Sequence, residues 1–259
     1  MRAGVCRWAV RWALAVCALA VMASSAAAEN PVESSVETRF QLDFHVSDAA
    51  LASYLPAGFK PDVATQGPAK DANLRVIFID RVAIHAPDGK PIGTNRLVYL
   101  AAPVKDAEGA AAQLIIGGLT EDPTDAPGPF GVYLPATTHS MNRSIASGEG
   151  PMLETQDWVF SAASGERLEL HIKFERGVGR KFPPADVKFY SAKNPGFYQI
   201  SHQEQVLDVL RNVTTHPADR VREVTVKASG GSYAKLFDGT EKMLSWDSIP
   251  WISRTVSLP

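Results

Sequence analysis

Residues 73–84 read NLRVIFIDRVAI, residues 96–104 read RLVYLAAPV, and Pro87-Asp88-Gly89-Lys90-Pro91 stands between them. Both runs are dense in β-branched residues. Proline presets one turn dihedral and glycine supplies a positive φ, so the pentapeptide reverses the chain. Two extended runs about such a reversal form an antiparallel hairpin. The rest of the chain repeats this style.

Upstream, Phe40, Leu42, Phe44 and Val46 alternate with Gln41, Asp43 and His45, a strand with one buried face. Ser47 caps a short helix from Asp48 to Leu55, which Pro56-Ala57-Gly58 ends. Downstream, 111–119 is an apolar strand broken by Gly117-Gly118, and 121–131 is a Pro/Gly-rich loop. Further strands are expected over 132–141, 155–162, 167–175, 187–192, 197–202, 221–228, 233–237 and 242–246. Val206, Val209, Leu210 and Val213 fall at helical spacing, so 205–213 is expected to be a second short helix. About a dozen short strands separated by turns indicate a barrel or sandwich. The expected fold is mainly β (a β-rich α+β protein): one antiparallel barrel-like domain over 29–259, around a cavity, with two short helices.

The N-terminus has its own grammar. Arg2, Arg7 and Arg11 precede the uncharged run ALAVCALAVMA, and Ala26 and Ala28 then frame an A-x-A site before Glu29. This is the form of a signal peptide over residues 1–28. The 11-residue run at 13–23 falls short of the roughly 20 residues that span a bilayer. The chain is therefore expected to be periplasmic or secreted, with no stable membrane insertion. Taking 28 residues from 259 leaves 231, without Cys6 and Cys17. What remains can form neither a disulfide nor a thiolate metal site. Three of the 26 Lys+Arg also go, leaving 23 against 28 acids, a net charge of −5. A mildly acidic chain without a basic block does not suit nucleic acid. Hydrophobic residues at 45% and charged residues at 21% exclude a disordered or polytopic membrane protein. A homo-oligomer is left open.

The six histidines show no metal-ligand spacing, and there is no P-loop, G-x-G-x-x-G or G-x-S-x-G, so neither a metal nor a cofactor is expected. Ser232-x-x-Lys235 and Ser140-x-Asn142 stand in the wrong order and context for a penicillin-binding site. Glu169, His171, Lys173 and Glu175 share one strand face, opposite Leu168, Leu170, Ile172 and Phe174. That polar row is either a solvated outer face or the inner wall of a barrel. Aromatic residues on nearly every strand, Tyr99, Phe130 and Tyr133 among them, fill a core and can also line an apolar cavity.

The order of these pieces resembles the acetoacetate decarboxylase superfamily. The matching stretches are ALASYLPAGF at 50–59, TNRLVYLAAPV at 94–104 and FYQISH at 197–202. The resemblance implies a β-barrel-like fold around a buried cavity. It also implies a lysine in a Gly-x-Pro-Lys motif that forms a Schiff base with a keto acid. Acetoacetate decarboxylase is itself a standard example of such a lysine, its amine pKa lowered so that it is nucleophilic. The nearest match here is Gly148-Glu149-Gly150-Pro151, and Met152 stands where the lysine would. Arg96 replaces the glutamate of the family's Tyr-Asn-Glu strand. The expectation is a small carbonyl- or carboxylate-bearing ligand held in a mostly apolar cavity without that lysine. Contacts are expected from Arg96, Arg143, Glu149, Met152, His171 and Lys173. The alternative is a carbon–carbon lyase acting on a small keto acid, with Lys105 or Lys173 taking the lysine's place.

Overall fold

The computed structural model describes residues 29–213 and 219–259; the signal read at 1–28 lies outside them. The elements in chain order are β1 (Asn30–His45), α1 (Asp48–Ala52), β2 (Lys60–Pro61), β3 (Leu74–His85), β4 (Pro91–Lys105), β5 (Ala111–Thr120), β6 (Tyr133–Ala146) and β7 (Leu153–Ala162). Then come β8 (Arg167–Glu175), β9 (Arg180–Lys181), β10 (Ala185–Ser191), β11 (Tyr198–Asn212), β12 (Val221–Ser229) and β13 (Lys242–Leu258). Short 3-10 turns stand at Pro123–Asp125 and Gly231–Lys235.

Hydrogen bonding runs β5–β10–β11–β13–β1–β3–β4 and returns to β5, which closes a ring of strands. The deciding hairpin forms as read: β3 and β4 pair antiparallel from Arg75↔Ala101 to His85↔Pro91. At Gly118–Thr120 strand β6 pairs parallel with β5, then leaves the ring to start a second sheet, β6–β7–β8–β12.

Alternation then sorts the side chains. One face of the ring carries Phe40, Leu42, Phe78 and Val98 against Trp158, Phe160, Leu170 and Phe174 of the second sheet. Phe40 meets Phe174 at 6.0 Å between ring centroids, and Phe78 meets Trp158 at 5.8 Å. Burying one such ring stabilises the fold by roughly 1.5–3 kcal/mol. The opposite face of the ring strands points inward. There Ile77, Ile79, Leu97, Tyr99, Ile115 and Phe189 form a smaller core with Phe130 and Tyr133.

Three local expectations are corrected. Residues 205–213 are not a helix but the second half of β11. Register shifts at Val206/Asp208 and Val209/Arg211 are bulges. Each bulge inserts a residue and breaks strict alternation, so the apolar positions mimic a helical repeat. Only α1 is an α-helix among the described residues. Residues 233–237, expected as a strand, fall largely within the 3-10 turn at Gly231–Lys235. Gly117-Gly118 does not break β5, which runs through to Thr120. The glycine is needed for approach: a Cβ on Gly118 would lie 2.7 Å from the Tyr133 ring and 2.8 Å from the Val98 carbonyl oxygen. No helix among the described residues is long and apolar enough to cross a membrane.

Candidate functional site

The ring interior is charged at its centre. On β1 the inward residues include Ser35, Glu37 and Arg39, all buried. Glu37 is fully enclosed and holds three guanidiniums. Arg39 Nε donates to its Oε2 at 2.7 Å, Arg254 Nη2 lies 3.1 Å from its Oε1, and Arg81 Nε stands 3.5 Å from the same oxygen. Ser35 Oγ donates to Oε1 at 2.7 Å. Burial alone would raise the Glu37 pKa, but Arg254, Arg39 and Arg81 outweigh it and hold the carboxyl well below the usual range. Glu33 bridges two of these cations, at 2.5 Å from Arg81 Nη2 and 3.1 Å from Arg254 Nη2.

Beside this network lies a cavity of about 200 Å³, lined by Glu33, Arg81, Tyr99, Asp125, Tyr133 and Arg254, with Ile79, Leu97, Phe130 and Gln199 among its walls. Tyr99 and Tyr133 are each 6% exposed. Neither hydroxyl has a hydrogen-bond partner among the described residues. Burial, with Tyr99 nearby, pushes the Tyr133 hydroxyl far above its ordinary pKa, so it is a hydrogen-bond donor at any physiological pH. Asp125 accepts from Asn95 Nδ2 at 2.6 Å. Burial raises its pKa, Arg81 opposes, and Glu33 and Asp122 add to the rise. The site therefore offers two guanidiniums and two phenols toward one small space, with a carboxyl of raised pKa beside them.

The residues expected from sequence lie elsewhere. Arg96 turns away from the interior, toward Asp80, Glu121 and the His139–Glu121 contact. Its neighbour Asn95 is the inward, buried residue of that strand. Arg143 pairs with Glu154 at 2.7 Å on the second sheet. His171 and Lys173 both meet Glu223 on the solvated face of that sheet, and His171 also meets Asp157 at 2.6 Å. Glu149 and Met152 stand in the exposed turn between β6 and β7. Lys173 shares a shallow groove with Gly148, Gly150 and Pro151 of that turn. None of the six lines the ring cavity. Lys105 stands outside it too, half exposed, 3.8 Å from Asp62.

Sequence reasoning missed Glu33, Glu37, Arg81, Asp125, Gln199 and Arg254. A signal was present: Glu33, Ser35, Glu37, Arg39, Gln41 and Asp43 alternate as strictly as the apolar residues beside them. The Gly/Pro-rich stretch that reaches the cavity is the 121–131 loop, through Asp125, Pro129 and Phe130, not 148–152. Among the described residues, no lysine lines the cavity.

No protein-family model matches this sequence, and no curated protein sequence matches it significantly. The likeness is to solved structures. MppR, an enduracididine biosynthesis enzyme solved in complex with pyruvate, superposes with a TM-score of 0.55 at 12% identity, over 90% of this chain and 91% of that one. An acetoacetate decarboxylase-like enzyme from Sphingomonas wittichii RW1 gives 0.53 at 12% identity, over 90% and 94%. With its closed ring, flanking sheet and interior cavity, this chain has the fold of the acetoacetate decarboxylase-like enzymes.

Proposed function

We propose that this chain is an exported protein that binds a small carboxylate bearing a carbonyl group inside the ring, without forming an imine. The observation that carries the reading is the cavity lining. Arg81 and Arg254 supply positive charge for a carboxylate. Tyr99 and Tyr133, both largely buried, supply two hydroxyl donors for further oxygens. Ile79, Leu97 and Phe130 give the rest of the wall an apolar character suited to a short carbon skeleton. A volume of about 200 Å³ fits a molecule of a few carbons. The pyruvate complex of MppR, which shares the fold, makes a 2-oxo acid the first ligand to try.

The lining argues against an imine: no lysine among the described residues stands in the cavity wall. Titration calorimetry with pyruvate, 2-oxobutyrate and acetoacetate tests the binding. One of them binds at micromolar to millimolar concentration and loses affinity in Arg254→Gln. Borohydride added with each keto acid leaves the protein mass unchanged; a covalent adduct at any lysine sinks the imine-free reading. Export is tested by N-terminal sequencing of protein from the periplasmic fraction or medium, which begins at Glu29 if the signal is cleaved after Ala28.

A further inference from the structure

We propose that the same cavity exchanges a proton on the carbon beside the carbonyl of a small keto acid, with Asp125 as the base and the Tyr99 and Tyr133 hydroxyls donating to the enolate oxygen. The inference rests on the binding reading above and adds a reaction to it.

Two carboxylates line the cavity, and they differ. Glu33 is tied to Arg81 and Arg254. Asp125 has no ion pair among the described residues, and Asn95 engages one of its oxygens, leaving the other free. A base must lie within reach of the proton that it takes and must gain little from staying ionised. Asp125 meets that description and Glu33 does not. The partial burial of Asp125 acts in the same direction, since it removes water that would favour the ionised form.

The phenols form the second half. Two hydroxyls without a protein partner among the described residues, those of Tyr99 and Tyr133, line one small cavity. A ground-state ketone oxygen is a modest acceptor and an enolate oxygen a strong one. Donors fixed in advance therefore favour the enolate more than the ketone, the requirement for catalysis. A carboxylate base paired with a phenolic donor is a known way to enolise a ketone without an imine. Arg81 and Arg254 would hold the carboxylate end and fix which carbon faces Asp125.

The electron count closes without a co-reactant. The C–H bond breaks and its proton passes to the Asp125 carboxylate. The C–H electron pair becomes the new C=C bond, and the carbonyl π pair moves onto oxygen between the two hydroxyls. Reversal returns a proton from Asp125, after exchange with solvent, to the same carbon.

The experiment uses the purified full chain with pyruvate in D2O, following the methyl signal by proton NMR while calorimetry reports binding. The expected result is saturable loss of the methyl signal, faster than in protein-free buffer. Asp125→Asn still binds pyruvate and loses exchange on the order of a hundredfold. Tyr99→Phe with Tyr133→Phe also lowers exchange on the order of a hundredfold at saturating pyruvate, beyond whatever affinity calorimetry shows to be lost. Pyruvate that binds without exchange above buffer overturns this proposal and leaves the binding reading standing. Exchange that survives Asp125→Asn overturns the assigned base. Borohydride trapping at a lysine overturns the phenol route. If none of pyruvate, 2-oxobutyrate and acetoacetate binds, both readings fall together.

Discussion

Asn95 Nδ2 donates to Asp125 Oδ2 at 2.6 Å, which ties a loop carboxyl to a buried position on β4. The carboxyl held there sets a pH dependence. Burial raises the Asp125 pKa from 3.8, Arg81 opposes, and Glu33 and Asp122 raise it further. A bound carboxylate adds negative charge nearby and raises it again, so ionised Asp125 weakens the anion's binding without preventing it. Affinity for pyruvate is therefore highest at low pH, falls as pH rises through the Asp125 titration and then levels. Asp125→Asn flattens the profile and binds tighter at neutral pH. Calorimetry from pH 4 to 8 reads this, and an unchanged slope in the variant assigns the proton elsewhere. The folding contribution has the same sign: the folded state holds this proton more tightly, so the stability it gives is full below 3.8 and fades as pH rises.

Glu37→Gln tests the charge centre. The glutamine fits the space but leaves Arg39, Arg81 and Arg254 buried around a neutral group. Breaking a buried pair by removing one partner costs about 3–5 kcal/mol. Urea unfolding at pH 7 should show a loss of that size, and Glu33→Gln, a quarter exposed, a smaller one. Glu37 is held below its ordinary value, so its stabilisation is full above pH 4.5 and is lost as pH falls toward the folded value. Glu37→Gln should therefore flatten the acid limb of the stability profile.

Gly118→Ala couples the fold to the site. The added methyl would meet the Tyr133 ring and the Val98 carbonyl oxygen, and backbone cannot step aside cheaply. Overpacking of this kind costs about 1–3 kcal/mol. Because the ring is the part that can move, the variant should also weaken keto-acid binding. Gly148→Ala, which meets nothing, should change neither. Thermal melts and calorimetry on the two variants separate the effects.

The β3–β4 hairpin is legible in the sequence because turn chemistry and alternation agree there. Strand β8 of the second sheet is legible too, and its Leu168, Leu170, Ile172 and Phe174 are buried as read. The site is hidden for a physical reason. Polar residues at period two on a strand look the same whether they face water or the inside of a closed ring. Only ring closure, made by the β4–β5 and β5–β10 pairings, decides between them. Arg96 stands out from Asn95 in the sequence by its charge, yet the strand points Asn95 inward. The alternation of β13 is legible only to Trp246, because the following IPWISRTV carries a proline and bulged spacing. Arg254 lies in that irregular half.

Asp247 gives the last test, at the other end of the ring interior. It is 3% exposed and shares a cavity with Asp43 and Asp208. Ser245 Oγ donates to it at 3.0 Å, while the nearest cation, Arg75, is committed to Asp43 at 3.1 Å. Burial, then repulsion from Asp43, pushes the Asp247 pKa up to about 8. Burial raises Asp43 as well, against the pull of Arg75. The folded protein thus holds a proton that the unfolded chain releases near 3.8. Stability from this group is full at low pH and is lost as pH rises from 3.8 through about 8. Asp247→Asn keeps the shape and removes the charge. It should leave urea stability near pH 3.5 almost unchanged, raise it increasingly from there to pH 8.5 and remove the decline between them. Should Asp43→Asn remove the decline while Asp247→Asn does not, the shared proton resides on Asp43 and the assignment within the pair is reversed.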